Sequence, residues 1–262
     1  MTKLNLGLIA PKDDKLPYVL KYRFSKKILS WGLDTTTPVN KAFYYPLDLV
    51  DWYNQKTLNG CVGYSCSWLS TMLNIMETGN VYKYDATWLY HTAQLTDRDK
   101  NTDPARNNGA YLWAGLDVLR KVGHRKIMNS VVLEPNIYEG ITSYYWIKTI
   151  AELRAAYLID RPVVFGLPWY DSFFNPKKID GEWWIGENLF WGKSKGGHAI
   201  ISVEISDNLN AIRLLSTWGM DYPPVWISYK NLKKLLNKGG EAAVAIDRKL
   251  EAIFSAQTEE NY

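Results

Sequence analysis

The spacing of apolar residues in the first half of the chain predicts helices. From Cys61 to about Thr78, apolar and small residues succeed one another as in a helix that is buried on most sides, between Gly60 and Gly79. Helical spacing recurs in three shorter segments, residues 86–95, 112–122 and 150–159. We therefore expect this half to be mainly helical.

After residue 160 the pattern changes to short apolar runs rich in β-branched residues, which are typical of buried strands. These runs occupy residues 163–167, 199–205, 211–215, 225–227 and 242–246. Helices followed by strands predict an α+β protein with two lobes, a mainly helical lobe over 46–160 and a mainly β lobe over 161–247. A substrate would lie in the cleft between two such lobes.

The two ends of the chain have weaker patterns. Residues 1–45 contain short apolar runs interrupted by prolines, and they predict an extended arm or short strands laid over the body of the protein. Residues 248–262 are charged and predict a frayed helix or a tail. In the basic stretch 230–238 lysines alternate with leucines, which indicates the solvent face of a helix.

Composition and charge narrow the class of protein. With 262 residues, of which 47% are hydrophobic, the chain can bury a sizeable core. No apolar run approaches the roughly 18 residues of a membrane span, and no secretory signal is evident, so we expect a cytoplasmic or virion-associated protein without a membrane partner. The net charge of +4 is small and dispersed, which argues against a nucleic-acid partner.

The chain contains two cysteines, Cys61 and Cys66, which would point in different directions from one helix. A disulfide framework is therefore not expected, in keeping with a reducing compartment or a virus particle. No cysteine and histidine cluster has the spacing of a metal site, and no glycine-rich phosphate loop is present. We expect neither a metal nor a cofactor.

Cys61 stands at the start of a predicted helix, where unpaired backbone N–H groups favour the thiolate that attacks a carbonyl. Attack creates an oxyanion, which needs hydrogen-bond donors already in place. Gln55 precedes Cys61 by six residues, so its side-chain amide and the Cys61 N–H are the candidate donors. His198 follows Gly196 and Gly197 at the start of a predicted strand, and it is the candidate general base.

The other two histidines are assigned to structural roles. His91 lies in the middle of a predicted helix, where packing or partial exposure is expected. His124 lies between Gly123 and Arg125, which predicts a cap at the surface.

Two motifs resemble those of a known family. The first motif is Gln55-Lys-Thr-Leu-Asn-Gly-Cys61-Val-Gly-Tyr64. The second, far downstream, is Gly196-Gly-His198-Ala-Ile-Ile. In order and spacing they resemble the active-site sequences of papain-like cysteine peptidases, in particular prokaryotic and viral members. Residues 1–45 do not resemble the long helical propeptide of that family.

The resemblance implies a papain-like two-lobe fold, with a helical N-terminal lobe, an antiparallel, barrel-like β lobe and the active-site cleft between them. It also implies hydrolysis of peptide bonds, with Cys61 as the nucleophile, His198 as the base and Gln55 in the oxyanion hole. Cys66 remains an alternative nucleophile, because Ser65-Cys66-Ser67-Trp68 superficially resembles the sequence of plant and lysosomal members. The distance from Gln55 favours Cys61.

One position departs from the family pattern. The family has an asparagine in Asn-Ser-Trp-Gly that accepts a hydrogen bond from the catalytic histidine, and the matching segment here is Ser216-Thr-Trp218-Gly219. The hydroxyl of Ser216 can accept the same bond, but its shorter reach predicts a more loosely oriented base and reduced activity. Trp218 would shield the bond, and Trp218 and Gly197 are the candidate substrate-binding residues.

Two other functions remain open at this point. A papain-like fold kept as a binding or structural module, for instance in a virus particle, is suggested by Ser216 and the many aromatic residues. A thiol hydrolase of another class, such as a cell-wall amidase, would lack both the glutamine before Cys61 and the Trp-Gly after His198. The expected partners are a peptide or protein substrate and, for the first alternative, a larger protein assembly.

Overall fold

The structure is a computed structural model, and it describes residues 4–9, 23–97 and 101–246. Residues 1–3 and 10–22 of the arm predicted over 1–45, and the whole tail predicted over 248–262, lie outside these residues. Among the described residues, we find no helix with the length and apolar character that crossing a bilayer would require.

The helices predicted over 61–78, 86–95, 112–122, 150–159 and 230–238 are present, with ends within two residues of the expected positions. The structure adds a helix over 48–52 and one over 24–30, so this part of the arm is helical and not extended. The helices are α1 (Phe24–Ser30), α2 (Asp48–Trp52), α3 (Cys61–Thr78), α4 (Ala86–Thr96), α5 (Leu112–Lys121), α6 (Ile150–Leu158) and α7 (Tyr229–Asn237). Helix α3 ends because Gly79 adopts a left-handed φ of 72° and returns its N–H to the Ile75 carbonyl. Thr149 and Glu152 form a capping box at the start of α6.

The strands are β1 (Asn40–Ala42), β2 (Lys83–Tyr84), β3 (Lys126–Met128), β4 (Val131–Val132), β5 (Ser143–Trp146), β6 (Val163–Tyr170), β7 (Lys177–Ile179), β8 (Glu182–Trp184), β9 (Ser194–Ser206), β10 (Ala211–Leu215), β11 (Val225–Ser228) and β12 (Glu241–Ile246). The five strands predicted after residue 160 correspond to β6, β9, β10, β11 and β12. Each observed strand contains its predicted run.

Most strands form one large sheet with the order β5-β12-β6-β9-β10-β11-β8-β7, and β1 also pairs with β9. Its pairs are antiparallel except for the parallel contact between β11 and β8. A second antiparallel sheet contains β2, β3 and β4. The mixed helical and mainly antiparallel architecture confirms the predicted α+β class.

Helix α3 and strand β9 meet at the centre of the molecule. The first thirteen residues of α3 are buried, and the second half of β9 is almost fully buried. Both contribute to one hydrophobic core that also includes residues of β6, β10 and β12. This packing fixes the first turn of α3 against the strand that carries His198.

The expectation that His124 forms a surface cap is wrong. Its backbone pairs with Asn136, and this turns the imidazole inward. The ring is fully buried, stacks on Tyr84 with 4.8 Å between centroids, and places Nε2 2.8 Å from the Ser67 hydroxyl. His124 is therefore a packed histidine of the helical lobe.

Candidate active site

Cys61 is the first residue of α3, and its side chain is fully buried. The sulfur accepts a hydrogen bond from the backbone N–H of Ala199, with Sγ and N 3.3 Å apart. Burial raises the pKa of the thiol to about 11, although hydrogen bonds from the backbone N–H groups of Ala199 and Gly7 act in the opposite direction. The resting sulfur is consequently a thiol.

His198 lies on β9, one residue before Ala199, and its ring is fully buried. Its Nε2 lies 3.0 Å from the hydroxyl oxygen of Ser216, which is the residue at the family's asparagine position. Its Nδ1 is buried and has no hydrogen-bond partner among the described residues. Burial lowers the pKa of His198 to about 3, so the imidazole is neutral at pH 7.

Two tryptophans hold the imidazole in place. Trp218 stacks on it with 4.0 Å between ring centroids and 12° between planes. Trp169 meets the same ring edge-on at 4.9 Å. Trp218 thereby covers His198 beside Ser216, and in the described structure it shields the site rather than lining an open pocket.

Gln55 lies in the loop between α2 and α3, and only 1% of its surface is exposed. Its backbone N–H donates to the Thr217 carbonyl at 2.9 Å, and its side-chain oxygen accepts a hydrogen bond from the Thr217 hydroxyl. These bonds orient the side-chain amide with its N–H groups away from Thr217. Thr217 lies between Ser216 and Trp218 and was not among the predicted site residues.

An N-terminal segment, residues 4–9, lies in the cleft. Leu8 donates from its backbone N–H to the Gly197 carbonyl at 3.1 Å, on the β9 side. On the helical side, Ile9 donates to the Ala110 carbonyl at 3.0 Å and Ala110 donates to the Gly7 carbonyl at 2.8 Å. The segment therefore lies between the two walls and is hydrogen-bonded to both.

The same segment is hydrogen-bonded to the side-chain amide of Gln55, the candidate oxyanion donor. The backbone carbonyl of Asn5 accepts hydrogen bonds from the Gln55 amide at 3.1 Å and from the Trp218 indole N–H at 2.9 Å. The second N–H of the Gln55 amide donates to the Leu58 carbonyl at 2.7 Å. A backbone carbonyl of this chain is thus bound to the side-chain amide that the sequence predicts as an oxyanion donor.

Gly7 is where the segment approaches the helical lobe most closely. A Cβ atom added to it would lie 1.6 Å from the backbone carbonyl oxygen of Asn59. Such a distance is far shorter than any van der Waals contact, and the obstacle is backbone. The segment can adopt this path only with glycine at position 7.

The remaining cysteine and histidine candidates lie elsewhere. Cys66 is fully buried in α3 and faces α5, where a Cβ added to Gly115 would lie 3.1 Å from its sulfur. Burial raises the pKa of the Cys66 thiol well above its usual value. His91 is half-buried on α4, with Nδ1 3.3 Å from the Gln94 side-chain oxygen. Neither residue contacts Cys61 or His198 in the hydrogen bonds and ring contacts of the described residues.

Sequence comparisons and structure comparisons give different results. No protein-family model matches the chain, and no curated protein sequence matches it. Solved structures do match. Xylellain, a cysteine protease from Xylella fastidiosa, is similar with a TM-score of 0.63 and 16% identity over 94% of this chain and 97% of that chain.

Two further similar structures are precursors of cathepsins. ProCathepsin B S9 from Trypanosoma congolense has a TM-score of 0.60 and 13% identity over 92% of this chain and 86% of that chain. Digestive procathepsin L 3 of Tenebrio molitor has a TM-score of 0.54 and 11% identity over 74% of this chain and 65% of that chain. At these identities the likeness concerns the fold, and it confirms that the chain has the papain-like two-lobe fold.

Proposed function

We propose that this protein is a cysteine peptidase that hydrolyses peptide bonds through Cys61 and His198. The observation that supports this best is the arrangement of the imidazole. Its Nε2 is engaged by Ser216, and its Nδ1 has no hydrogen-bond partner within the part of the chain that the structure describes. The Cys61 sulfur lies 3.3 Å from the backbone nitrogen of the next residue, Ala199. The free ring nitrogen is thus left for proton transfer beside the thiol.

The chemistry follows from these positions. His198 takes the thiol proton on Nδ1, and the Cys61 thiolate attacks the substrate carbonyl carbon. The oxyanion accepts hydrogen bonds from the Gln55 amide and the Cys61 backbone N–H. His198 then gives its proton to the leaving amine, which leaves a thioester. Water, deprotonated by His198, attacks the thioester, and the carboxylic acid product and the thiol are released.

Ser216 selects the tautomer that this scheme needs. An imidazole that accepts a proton on Nδ1 must carry its hydrogen on Nε2, and the serine hydroxyl oxygen accepts that hydrogen bond. When Nδ1 is protonated, the same bond helps to stabilise the imidazolium. Ser216 would therefore act on the reaction only through His198, as a positioning residue.

The described conformation is a closed form of this enzyme. Residues 4–9 fill the cleft, the Asn5 carbonyl occupies the Gln55 amide, and Cys61 has no exposed surface. We propose that the segment must leave before a substrate can bind. Release would also rehydrate the site, which would remove part of the desolvation that keeps the thiol and the imidazole neutral.

Labelling with a thiol-directed epoxide, read by intact mass, tests the proposal. We expect one adduct on the parent protein, no adduct on Cys61→Ala and one adduct on Cys66→Ala, because Cys61 is hydrogen-bonded to the residue that follows His198, whereas Cys66 faces α5. The same three measurements are repeated after removal of residues 1–9. An adduct that persists in Cys61→Ala would refute the assignment. So would the absence of an adduct from the parent protein both with and without residues 1–9.

Substitution of Ser216 should change catalysis rather than folding. We expect Ser216→Ala to lower kcat/KM for a peptide by about tenfold, because one hydrogen bond that orients His198 is lost. Ser216→Asn should retain or exceed the activity of the parent, since an amide oxygen can accept the same bond. The loss should appear in kcat with KM nearly constant, and equal activity of the alanine variant would exclude a positioning role.

A module that binds a partner without catalysis is the second candidate. It is favoured by the closed cleft and by the fully buried, neutral Cys61 and His198 pair. Such a module could belong to a larger protein assembly, for instance a virus particle. A chain without residues 1–9 that stays folded but reacts with no thiol-directed probe would support this function instead.

A further inference from the structure

The loop between β8 and β9 exposes two large apolar side chains near its middle. Leu189 is 92% exposed and the adjacent Phe190 is 81% exposed. Among the large hydrophobic residues that the structure describes, these two are the most exposed. An isolated apolar side chain is normal at a protein surface, but adjacent and almost fully exposed ones point to a contact with something outside the chain.

The base of this loop is tied to helix α7 and to the residue before it. The Gly186 carbonyl accepts hydrogen bonds from the Trp191 indole N–H at 2.8 Å and from the Asn231 side-chain amide at 3.0 Å. The Glu187 carboxylate accepts from the same amide at 2.8 Å and from the Ser228 hydroxyl at 2.8 Å. The two apolar side chains therefore lie at the tip of a loop whose two ends are fixed.

A row of lysines begins beside the loop. The Lys234 ammonium lies over the Trp191 ring, 5.4 Å from its centroid. Lys230 and Lys238 lie four residues to either side of Lys234, so the three follow one side of α7 over roughly 12 Å. These three residues and Lys233 are exposed, and α7 contains no acidic residue that would neutralise them. The apolar tip thus stands next to a positively charged surface.

We propose that the loop tip of Leu189 and Phe190, together with the lysine row of α7, binds the surface of a membrane that contains anionic phospholipids. The two apolar side chains enter the boundary between headgroups and acyl chains, and the lysines contact the lipid phosphates. The expectation of no membrane partner rested on the lack of a long apolar run, which concerns spanning segments and not a surface contact. The proposal does not depend on the peptidase function.

The size and charge of this surface favour lipid over a protein partner. A specific protein interface covers about 800 Å² on each partner, whereas the apolar part here is two side chains at a loop tip. A lipid surface accepts such a tip, because only the tip has to leave water. A second copy of the chain bound symmetrically to the same surface would bring two lysine rows together, and like charges repel.

Co-sedimentation of the full chain with vesicles tests the proposal. Vesicles of phosphatidylcholine alone are compared with vesicles in which about 30% of the lipid is phosphatidylserine. We expect binding to the anionic vesicles and none to the neutral ones. The partition coefficient for the anionic vesicles should fall by about tenfold or more when salt is raised from about 50 mM to about 500 mM, since the lysine contacts are screened.

Substitutions separate the apolar tip from the charged row. Leu189→Ser should lower the partition coefficient about fivefold and its combination with Phe190→Ser about 30-fold, whereas Leu95→Ser, at a 75% exposed position on α4, should change it less than about twofold. Lys230→Glu should lower it about tenfold. The control Arg106→Glu makes the same change in net charge at a 78% exposed side chain of the helical lobe, and it should lower binding less than about threefold.

Each variant should keep the Tm of the parent, since the substituted side chains are exposed. Absence of binding to either kind of vesicle, equal binding to both, or unchanged binding of the double variant at 189 and 190 overturns the proposal. So does a dimer, measured by analytical ultracentrifugation, that dissociates in the same double variant, because the surface then binds a second copy. None of these outcomes bears on labelling of Cys61 or on peptide cleavage.

Discussion

Replacement of Gly7 by alanine is expected to raise the rate at which a thiol-directed epoxide alkylates Cys61 by about 10- to 100-fold. The added Cβ would stand 1.6 Å from the Asn59 carbonyl oxygen, so the segment 4–9 cannot keep its path through the cleft. The reaction requires an open cleft, and its rate follows the population of the open form. Labelling is measured as the pseudo-first-order appearance of the adduct by intact mass.

The magnitude follows from the hydrogen bonds that hold the segment. Main-chain bonds join Gly7, Leu8 and Ile9 to the two cleft walls, and the Asn5 carbonyl accepts two more. Each contributes about 1 kcal/mol net, and every 1.4 kcal/mol changes an equilibrium tenfold. Loss of two or three of these bonds accounts for the expected range.

Asn5→Ala is the matched control for Gly7→Ala. It changes a residue of the same segment but keeps the backbone carbonyl that Gln55 and Trp218 bind, and it removes only an exposed bond to Thr57. We expect its labelling rate to stay within about threefold of the parent. Equal rates for Gly7→Ala and the parent would show that the segment does not limit access to the thiol.

The second large effect concerns the pH dependence of stability. Burial raises the pKa of Glu241 to about 7 from an ordinary value of 4.5, so the folded state favours the protonated carboxyl. The stabilisation is complete below pH 4.5 and is lost as the pH rises through 7, because the unfolded chain ionises first. Between pH 5 and pH 8 this single group should remove about 2 to 3 kcal/mol of the free energy of unfolding.

Glu241→Gln and Glu241→Leu both remove the titrating group. The difference in unfolding free energy between each variant and the parent should therefore shift in favour of the variant by about 2 to 3 kcal/mol from pH 5 to pH 8. Urea unfolding at the two pH values measures this shift, and titrations common to all three proteins cancel. A difference that is the same at both pH values would mean that Glu241 titrates alike in the folded and unfolded chains.

Much of the fold could be predicted from sequence because its main elements are long and their side-chain patterns are strong. Helix α3 has apolar or small residues on nearly every face and glycines at both ends, and the structure begins and ends it at the predicted residues. The strands β9 and β12 are buried over most of their length, which produces continuous apolar runs. Burial on both faces leaves little ambiguity in such segments.

The short elements could not be predicted in the same way. Strands β2, β4 and β7 contain two or three residues each, and β4 and β7 are exposed. Strands this short have too few residues to show a detectable alternation of apolar and polar side chains. The path of residues 4–9 is set by partners more than fifty residues distant, so no local pattern indicates it.

The residues of the candidate site could be proposed from the sequence, but their burial and protonation could not. The order and spacing of Gln55, Cys61 and His198 predicted one site, and the structure places each of them beside β9 or the segment 216–218. Their catalytic roles stay a prediction. The neutral, buried condition of Cys61 and His198 could not be foreseen, since it depends on tertiary packing that brings Trp169, Trp218 and segment 4–9 around the site. Glu241 immediately precedes the apolar run of β12, and only its pairing with Gly166 on β6 shows that it is buried.

The attachment of residues 4–9 has a kinetic consequence. One short stretch is bonded to Gly197 on one flank and to Ala110 on the other, so it forms a seam that joins the two lobes. Pulling it away severs both flanks and frees the Gln55 amide in a single event. Exposure of the sulfur is therefore expected to be all-or-none. Each molecule is either closed, with an inaccessible thiol, or open, with an accessible one, and partly open forms are not populated.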